Sequence, residues 1–264
     1  TSLVPGEPAW RVNLFSAVCA AVGLAFLYLC GRLLGGWRIA AVIGPATLAV
    51  VPLFWMHAAI TELYAPAVLL VAIVMFALLM AAERKDSRWI AGAGVAGGLS
   101  LGVHSTVALA APAALIYVGA LPVTKKWRRA FGGAALGVVL ALGAFGVVDA
   151  VGAPSSYFQT VVGPSASVWG LTDSDLDQPW ERLRFSLEAR QFQKLMAPDP
   201  ANSLSDQGPV YLDLLQQMWP TAALVLAGLG AAALVILQPR EAGLIVVAWL
   251  IQVASITPGP GAAG

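Results

Sequence analysis

The sequence predicts an all-α protein, a polytopic transmembrane bundle of about eight spans with an amphipathic helix in one long outer loop. Composition is the first reason: 59% of the 264 residues are hydrophobic and 11% are charged, against roughly 25% charged in soluble domains. Long apolar runs recur along the chain, and basic residues cluster between them. The net charge of +1 and the lack of a basic surface patterned with aromatics exclude nucleic acid as a partner.

Apolar windows long enough to cross a bilayer lie at residues 12–34, 39–57, 66–82, 130–151, 219–237 and 242–257. The run from Trp89 to Leu121 has 33 residues and would overshoot the bilayer as one helix. We therefore divide it near Gly102 to Ser105 into two short crossings, which gives the eight spans.

Charge supports the division of the long run. With it, ten of the 15 basic residues fall in four loops on one side of the membrane, around residues 32–38, 84–88, 125–129 and 240. The positive-inside rule makes that side cytoplasmic. The other loops, including the long polar stretch 152–218, are then extracytoplasmic.

Three regions follow from these spans: a transmembrane core at 1–151, an extracytoplasmic loop at 152–218 and a C-terminal transmembrane hairpin at 219–257. Within the loop, apolar residues at helical spacing predict an amphipathic helix over 178–196. This helix carries Arg184 and Arg190, which are candidates for substrate binding. Such residues also serve simply to meet solvent and lipid headgroups.

The segment FWMHAAITELYAP, residues 54–66, places His57, Glu62 and Tyr64 between two apolar runs at the outer face. Pro66 favours the first turn of a new helix, so Glu62 and Tyr64 are expected in a short turn. Together with His104 they could share one outer cavity. The alternatives are a solvated loop carboxylate for Glu62 and a histidine that hydrogen-bonds across a helix pair for His104. Arg11 suits a lipid phosphate or an ordinary headgroup contact.

Three segments, AWRVNLFSA, FWMHAAITELYAP and GGLSLGVHST, in this order and at this spacing, resemble a multi-span bacterial family related to an animal transmembrane protein O-mannosyltransferase. That family lies in the GT-C glycosyltransferase superfamily. The resemblance covers about residues 5–120, and the segments match the family at Arg11, Asn13, Glu62, Tyr64 and His104.

The resemblance implies a multi-pass inner-membrane glycosyltransferase. Such an enzyme moves a sugar, such as mannose, from a polyprenyl-phosphate carrier to an acceptor hydroxyl on a protein or glycan at the extracytoplasmic face. In the family an acidic residue of the first outer loop acts as general base. We expect that loop and the first span to precede Thr1, so that this chain is a fragment in which the family's base could be missing.

The candidate residues divide into two groups. Glu62 and His104 are the catalytic candidates, one as base or orienting carboxylate and the other as donor to the leaving phosphate. The substrate-binding candidates are Arg11, Asn13, His57, Tyr64, Arg184 and Arg190. We assign no metal ligand, because no Cys/His cluster has zinc spacing, and dependence on a divalent metal stays open. A secondary transporter or lipid-carrier flippase is the main alternative, and a structural membrane subunit comes third.

Overall fold

The computed structural model describes residues 7–35, 37–60, 63–151, 176–187 and 215–255, together with residues 162, 171, 209, 212 and 213. Within these ranges the regular elements are helical, as predicted. In chain order they are α1 Pro8–Gly35, α2 Arg38–Ala49, α3 Pro52–Ala59, α4 Tyr64–Arg84, α5 Ser87–Leu101, a 3₁₀ helix Ser105–Ala110, α6 Ala111–Ala120, α7 Lys126–Val151, α8 Pro179–Leu187, α9 Thr221–Leu237 and α10 Pro239–Ser255.

Three helices within the described ranges are long and apolar enough to cross a membrane: Ala9–Gly35, Tyr64–Arg84 and Lys126–Ala150. The bent pair α2 and α3 makes a fourth if it counts as one span. Many large apolar side chains point outward, such as Val147 and Val148, which are 65% and 68% exposed. Helices that are apolar all round are typical of a membrane environment. The apolar helices therefore indicate a membrane protein.

The window 39–57, predicted as one straight span, is broken. α2 ends at Ala49, α3 begins at Pro52, and the two helices are bent by 70°. Proline disfavours helical dihedrals in the residue before it, and Val51 accordingly has extended values of φ −69° and ψ 126°. The same proline fits the first turn of α3 because its missing N–H would have no partner there.

The predicted division of the run 89–121 is confirmed in position. α5 ends at Leu101, and a turn over residues 102–104 leads into the 3₁₀ helix and α6. The 15 residues of α5 rise only about 22 Å, less than the roughly 30 Å of a hydrocarbon core.

Two pairs of parallel helices build the bundle. α1 runs beside α4, with Gly23 against Leu69, and α5 runs beside α7, with Gly98 against Gly137. α4 and α5 are antiparallel because only a short turn at Lys85 and Asp86 connects them. Consequently α1 and α4 begin, and α3, α5 and α7 end, at one end of the bundle, which we call the histidine end.

The opposite end is tied together by polar contacts from the start of α10. Glu241 accepts a hydrogen bond of 3.2 Å from the buried Tyr117 hydroxyl of α6 and pairs with Arg240 at 2.8 Å. Gln238 donates a 2.5 Å hydrogen bond to the backbone oxygen of Leu34 near the end of α1. These bonds fix the C-terminal hairpin to the rest of the bundle.

Candidate functional site

Three aromatic rings meet at the histidine end. The ring of Tyr64 lies between the two histidines of the chain, with its centroid 4.5 Å from that of His57 and 5.3 Å from that of His104. These separations are within the range of ring packing. We call His57, Tyr64 and His104 the ring cluster.

Local backbone signals explain why the ring cluster forms. His57 lies in the last turn of α3, which stops at Ala59 when Ile60 becomes extended. Tyr64 is the first residue of α4, and Pro66 occupies the first turn, where its missing N–H is harmless. His104 ends the turn after α5 and donates its backbone N–H to Ser100 at 2.9 Å. The end of α3, the start of α4 and the turn after α5 thus bring the three rings together.

The ring cluster is partly open. The side chain of Tyr64 is 49% exposed, whereas His57 and His104 are half-buried. Burial lowers the pKa of His104 below its ordinary 6.5, because the charged imidazolium is less well solvated there. His104 is therefore neutral at pH 7, with one ring nitrogen as donor and the other as acceptor.

The structure brings together His57, Tyr64 and His104, three of the four residues predicted to share an outer cavity, while their chemical roles stay a prediction. Glu62, the fourth and the candidate base or orienting carboxylate, lies outside the described residues. Its neighbours in the chain bracket it, because Ile60 closes α3 and Tyr64 opens α4.

Arg11 and Asn13 lie near the start of α1, also at the histidine end. Both are half-buried. The Nε atom of Arg11 is shielded from solvent and has no hydrogen-bond partner among the described residues. A buried donor without an acceptor is costly, so this nitrogen is suited to an anionic ligand oxygen.

Arg182 of α8 makes several polar contacts at this end, although the sequence analysis did not single it out. Its Nε and Nη2 donate to the two carboxylate oxygens of Asp149 on α7 at 2.8 and 2.7 Å. Its Nη1 donates to the backbone oxygens of Leu176 and Asp177. Hydrogen bonding to Asp149 raises the pKa of Arg182 above its ordinary value. Arg182 therefore holds α8 against the end of α7.

The two arginines predicted to bind substrate have different outcomes. Arg184 lies on the exposed side of α8, and Arg190 is outside the described residues. The predicted amphipathic helix over 178–196 is described only for Pro179–Leu187. In that part it has two faces, since Phe185 is 2% exposed and Trp180 is 60% exposed.

Metal binding has no structural support in the described ranges, where no group of three or more His, Cys, Asp or Glu could hold an ion. What the histidine end offers instead is a neutral imidazole, a partly exposed phenol and a guanidinium nitrogen. These groups can stack on a ring and donate hydrogen bonds to oxygen atoms.

The long apolar helices and the polar groups at one end define the class: an all-helical protein of membrane type with a candidate site at the ends of its helices. Residues 1–127 match the family model described as Protein O-mannosyl-transferase TMEM260 N-terminal domain. The matched part contains the ring cluster, Glu62, Arg11 and Asn13, and it ends before Arg184 and Arg190. The match supports a relation to that family.

No curated protein and no solved structure matched the chain in the corresponding searches.

Proposed function

We propose that this protein is a membrane glycosyltransferase. It moves a sugar, with mannose as the first candidate, from a polyprenyl-phosphate carrier to an acceptor hydroxyl on a protein or glycan. The observation that carries the proposal is the position of the ring cluster, which lies inside the region similar to the O-mannosyltransferase domain and at converging helix ends.

The reaction breaks the bond between the sugar C1 and the carrier phosphate oxygen and forms a bond between C1 and the acceptor oxygen. The acceptor proton passes to a base, and the carrier leaves as the phosphate monoester. Two needs follow: a group that takes the proton, and donors that stabilise the negative charge on the leaving phosphate.

Residues of the histidine end meet these needs in the proposed site. Glu62, two residues before Tyr64 in the chain, takes the acceptor proton or orients the acceptor hydroxyl. The neutral His104 donates one N–H to the leaving phosphate oxygen. Arg11 supplies positive charge to the same phosphate, for which its forked guanidinium is suited.

The sugar itself is bound by Tyr64 and His57. The Tyr64 ring is 49% exposed and provides an apolar face on which the C–H groups of a pyranose can pack. His57 packs against that ring with a centroid distance of 4.5 Å, and Asn13 and Arg184 contribute further polar contacts.

The topology completes the proposal. We place the core in the GT-C superfamily with eight spans, in the inner (plasma) membrane, with the histidine end extracytoplasmic. The support is the sequence distribution of charge, because ten of 15 basic residues lie in loops of the opposite side.

The broken pair α2 and α3 suggests a secondary transporter as the alternative, because transporters bind substrates at interrupted helices. The break spans the residues Ala-Val-Val-Pro-Leu from 49 to 53, which carry no polar side chain. The polar groups lie instead at the helix ends, where a transferase needs them.

The decisive experiment measures transfer of labelled mannose from polyprenyl-phosphate mannose in membranes that contain the complete protein. Glu62→Gln is expected to abolish transfer with insertion unchanged, and His104→Gln and Tyr64→Ala to lower it by at least about tenfold. The matched control is Glu83→Gln, which removes an exposed carboxylate at the opposite end.

Transfer that survives Glu62→Gln at the control level would remove Glu62 from the reaction. Absence of transfer with every sugar tested, in a wild-type protein that is inserted and folded, would overturn the enzyme class.

A further inference from the structure

The turn between α6 and α7 carries a dense positive charge. Four of the five residues from 125 to 129 are basic, and the sequence contains no acidic residue between Asp86 and Asp149. The turn lies at the end of the bundle opposite to the ring cluster, because α7 begins at Lys126 and finishes at the histidine end. The charge is therefore not balanced by carboxylates nearby in the chain.

One of the four basic residues has a structural role, and three are left over. The Nζ atom of Lys126 donates to two backbone oxygens at the end of α6, at 2.5 and 2.8 Å. Carbonyls at a helix end lack partners within the helix, so Lys126 caps α6. Lys125, Arg128 and Arg129 are exposed, and among the described residues no ion pair joins them to a carboxylate.

Two aromatic rings lie beside these three charges. Trp127 and Phe131, four residues apart on α7, stack with 6.0 Å between their centroids and 20° between their planes. Both are exposed, yet Trp127 is fixed on one side, because its indole lies 3.6 Å from the position of a Cβ added at Gly119. Tryptophan is typical of the lipid headgroup level of a membrane. We call Lys125, Trp127, Arg128, Arg129 and Phe131 the basic corner.

Apolar helix surface continues from the basic corner along α7. Gly132 follows Arg128 by four residues, so the two lie on the same side of the helix. An added Cβ at Gly132 would meet nothing within 4 Å, and Val139 further along this side is 63% exposed. Arg128 and Val139 are 11 residues apart, or about 16 Å along the axis. Cation, aromatic ring and apolar surface thus follow one another as phosphate, glycerol and acyl chain do in a phospholipid.

Electrostatics and position together select the occupant. The first turn of α7 has no acidic residue, and the positive end of the helix dipole adds to the charge of the basic corner. A negatively charged group stabilises such an arrangement. The adjoining surface belongs to a helix long and apolar enough to span a membrane, Lys126–Ala150. A soluble partner would reach the charges but not this surface, whereas a lipid reaches both.

We propose that the basic corner binds an anionic phospholipid of the bilayer. The exposed cations bind its phosphate, the aromatic pair packs against its glycerol region, and one acyl chain lies along α7. This site is separate from the proposed transfer site, since it lies at the opposite end of the bundle. It goes beyond the proposed function and does not depend on it.

The first test compares lipids of different charge on the unmodified protein. The purified full chain in detergent micelles is titrated with phosphatidylglycerol or with phosphatidylcholine of the same acyl chains, and native mass spectrometry counts the bound lipids. One phosphatidylglycerol is expected to bind at least about tenfold more tightly than phosphatidylcholine, because each basic residue near an anionic headgroup adds to the attraction. Equal affinities would overturn the proposal. Equal competition by free glycerol phosphate would also overturn it, in favour of a site for soluble anions.

The second test removes the charge. Arg128→Gln combined with Arg129→Gln is expected to lower the affinity for phosphatidylglycerol about tenfold, which corresponds to about 1.4 kcal/mol. The matched control is Arg38→Gln combined with Arg84→Gln, which removes the same charge from two exposed arginines at the same end of the bundle. Equal losses in the two double variants would show that the lipid responds only to total charge and would overturn the assignment.

The third test separates charge from a purely structural effect. Arg128→Lys combined with Arg129→Lys keeps both charges and is expected to bind phosphatidylglycerol within about threefold of the unmodified protein. A lysine pair that binds as weakly as the glutamine pair would overturn the electrostatic assignment.

The fourth test addresses the aromatic pair. Phe131→Ala is expected to weaken binding of phosphatidylglycerol about threefold, because the ring loses its packing against the lipid. Val147→Ala is the control, since Val147 is also exposed on α7 but lies near the histidine end. Equal binding by these two variants would contradict the placement of the lipid beside the rings.

Discussion

Two helix interfaces of this protein are rich in small residues, but one is closely packed and the other is open. Between α5 and α7 the backbones touch: an added Cβ at Gly98 would lie 2.9 Å from the Cα of Gly137, and one at Gly94 would lie 2.8 Å from the backbone nitrogen of Ala134. Between α1 and α3, alanines line an open groove.

The difference teaches that small residues permit close contact without enforcing it. α5 and α7 lie side by side over several turns, from Gly94 at Ala134 to Gly102 at Ala141, and Gly94 and Gly98 each have backbone atoms of α7 opposite them. α2 and α3 are bent by 70° at Pro52 and cannot follow α1 along its length. Ala17 and Ala21 of α1 therefore face open space.

The largest expected effect comes from a substitution in the tight interface between α5 and α7. Gly98→Leu puts a side chain where no room exists, so the expected loss of stability is at least about 3 kcal/mol, the upper part of the range for overpacking. Gly92→Leu on the same helix is the control, because a Cβ there meets nothing within 4 Å. Unfolding followed in detergent measures both, and similar losses would contradict the close contact.

The next effect compares the same substitution in filled and open surroundings. Ala72 on α4 is 0% exposed, so Ala72→Leu is expected to destabilise the protein by about 1–3 kcal/mol. Ala21 lines the groove, and Ala21→Leu is expected to change stability by no more than about 0.5 kcal/mol. Thermal unfolding of the two variants would refute the open groove if Ala21→Leu cost as much as Ala72→Leu.

A smaller effect concerns the end of α7 beyond its contact with α5. Arg182→Gln removes the pair with Asp149, whose side chains are 19% and 9% exposed. The expected loss is about 1–2 kcal/mol, because this exposure screens part of the interaction. The charge exchange of Asp149→Arg with Arg182→Asp should recover part of the loss. If the exchange variant lost as much stability as the two single variants lose together, the two residues would not interact.

The smallest effect is a pH dependence from the ring cluster. Burial lowers the pKa of His104, so the unfolded chain takes up the proton at higher pH than the folded protein. The folded state therefore loses stability as the pH falls from about 6.5 towards the lower pKa of the folded state. His104→Phe should flatten the change in Tm between pH 7.5 and 5.5. A slope that persists in this variant would show that His104 is not its source.

Sequence reasoning located the ring cluster because its signals are local. Pro66 fixes the start of α4, and the over-long apolar run requires a break near Gly102, which places Tyr64 and His104 at the same end. Both signals act within a few residues of the side chains concerned, and the structure has the breaks there.

Features that depend on distant partners were not predictable from spacing. Asp149 and Arg182 are 33 residues apart, and nothing in either segment identifies the other. The close approach of α7 to Gly94 and Gly98 of α5 is likewise visible only in three dimensions. The bend at Pro52 had a sequence signal that the length of the apolar window concealed.

One bond at the opposite end has a consequence for biosynthesis. The carbonyl of Leu34, near the end of α1, is capped by Gln238, which is made 204 residues later. At roughly 5–20 residues per second this interval is on the order of 10–40 s. Throughout that time the first helix lacks its final partner, so nascent chains arrested before Gln238 should be more readily captured by membrane chaperones and proteases than chains arrested after Ser255.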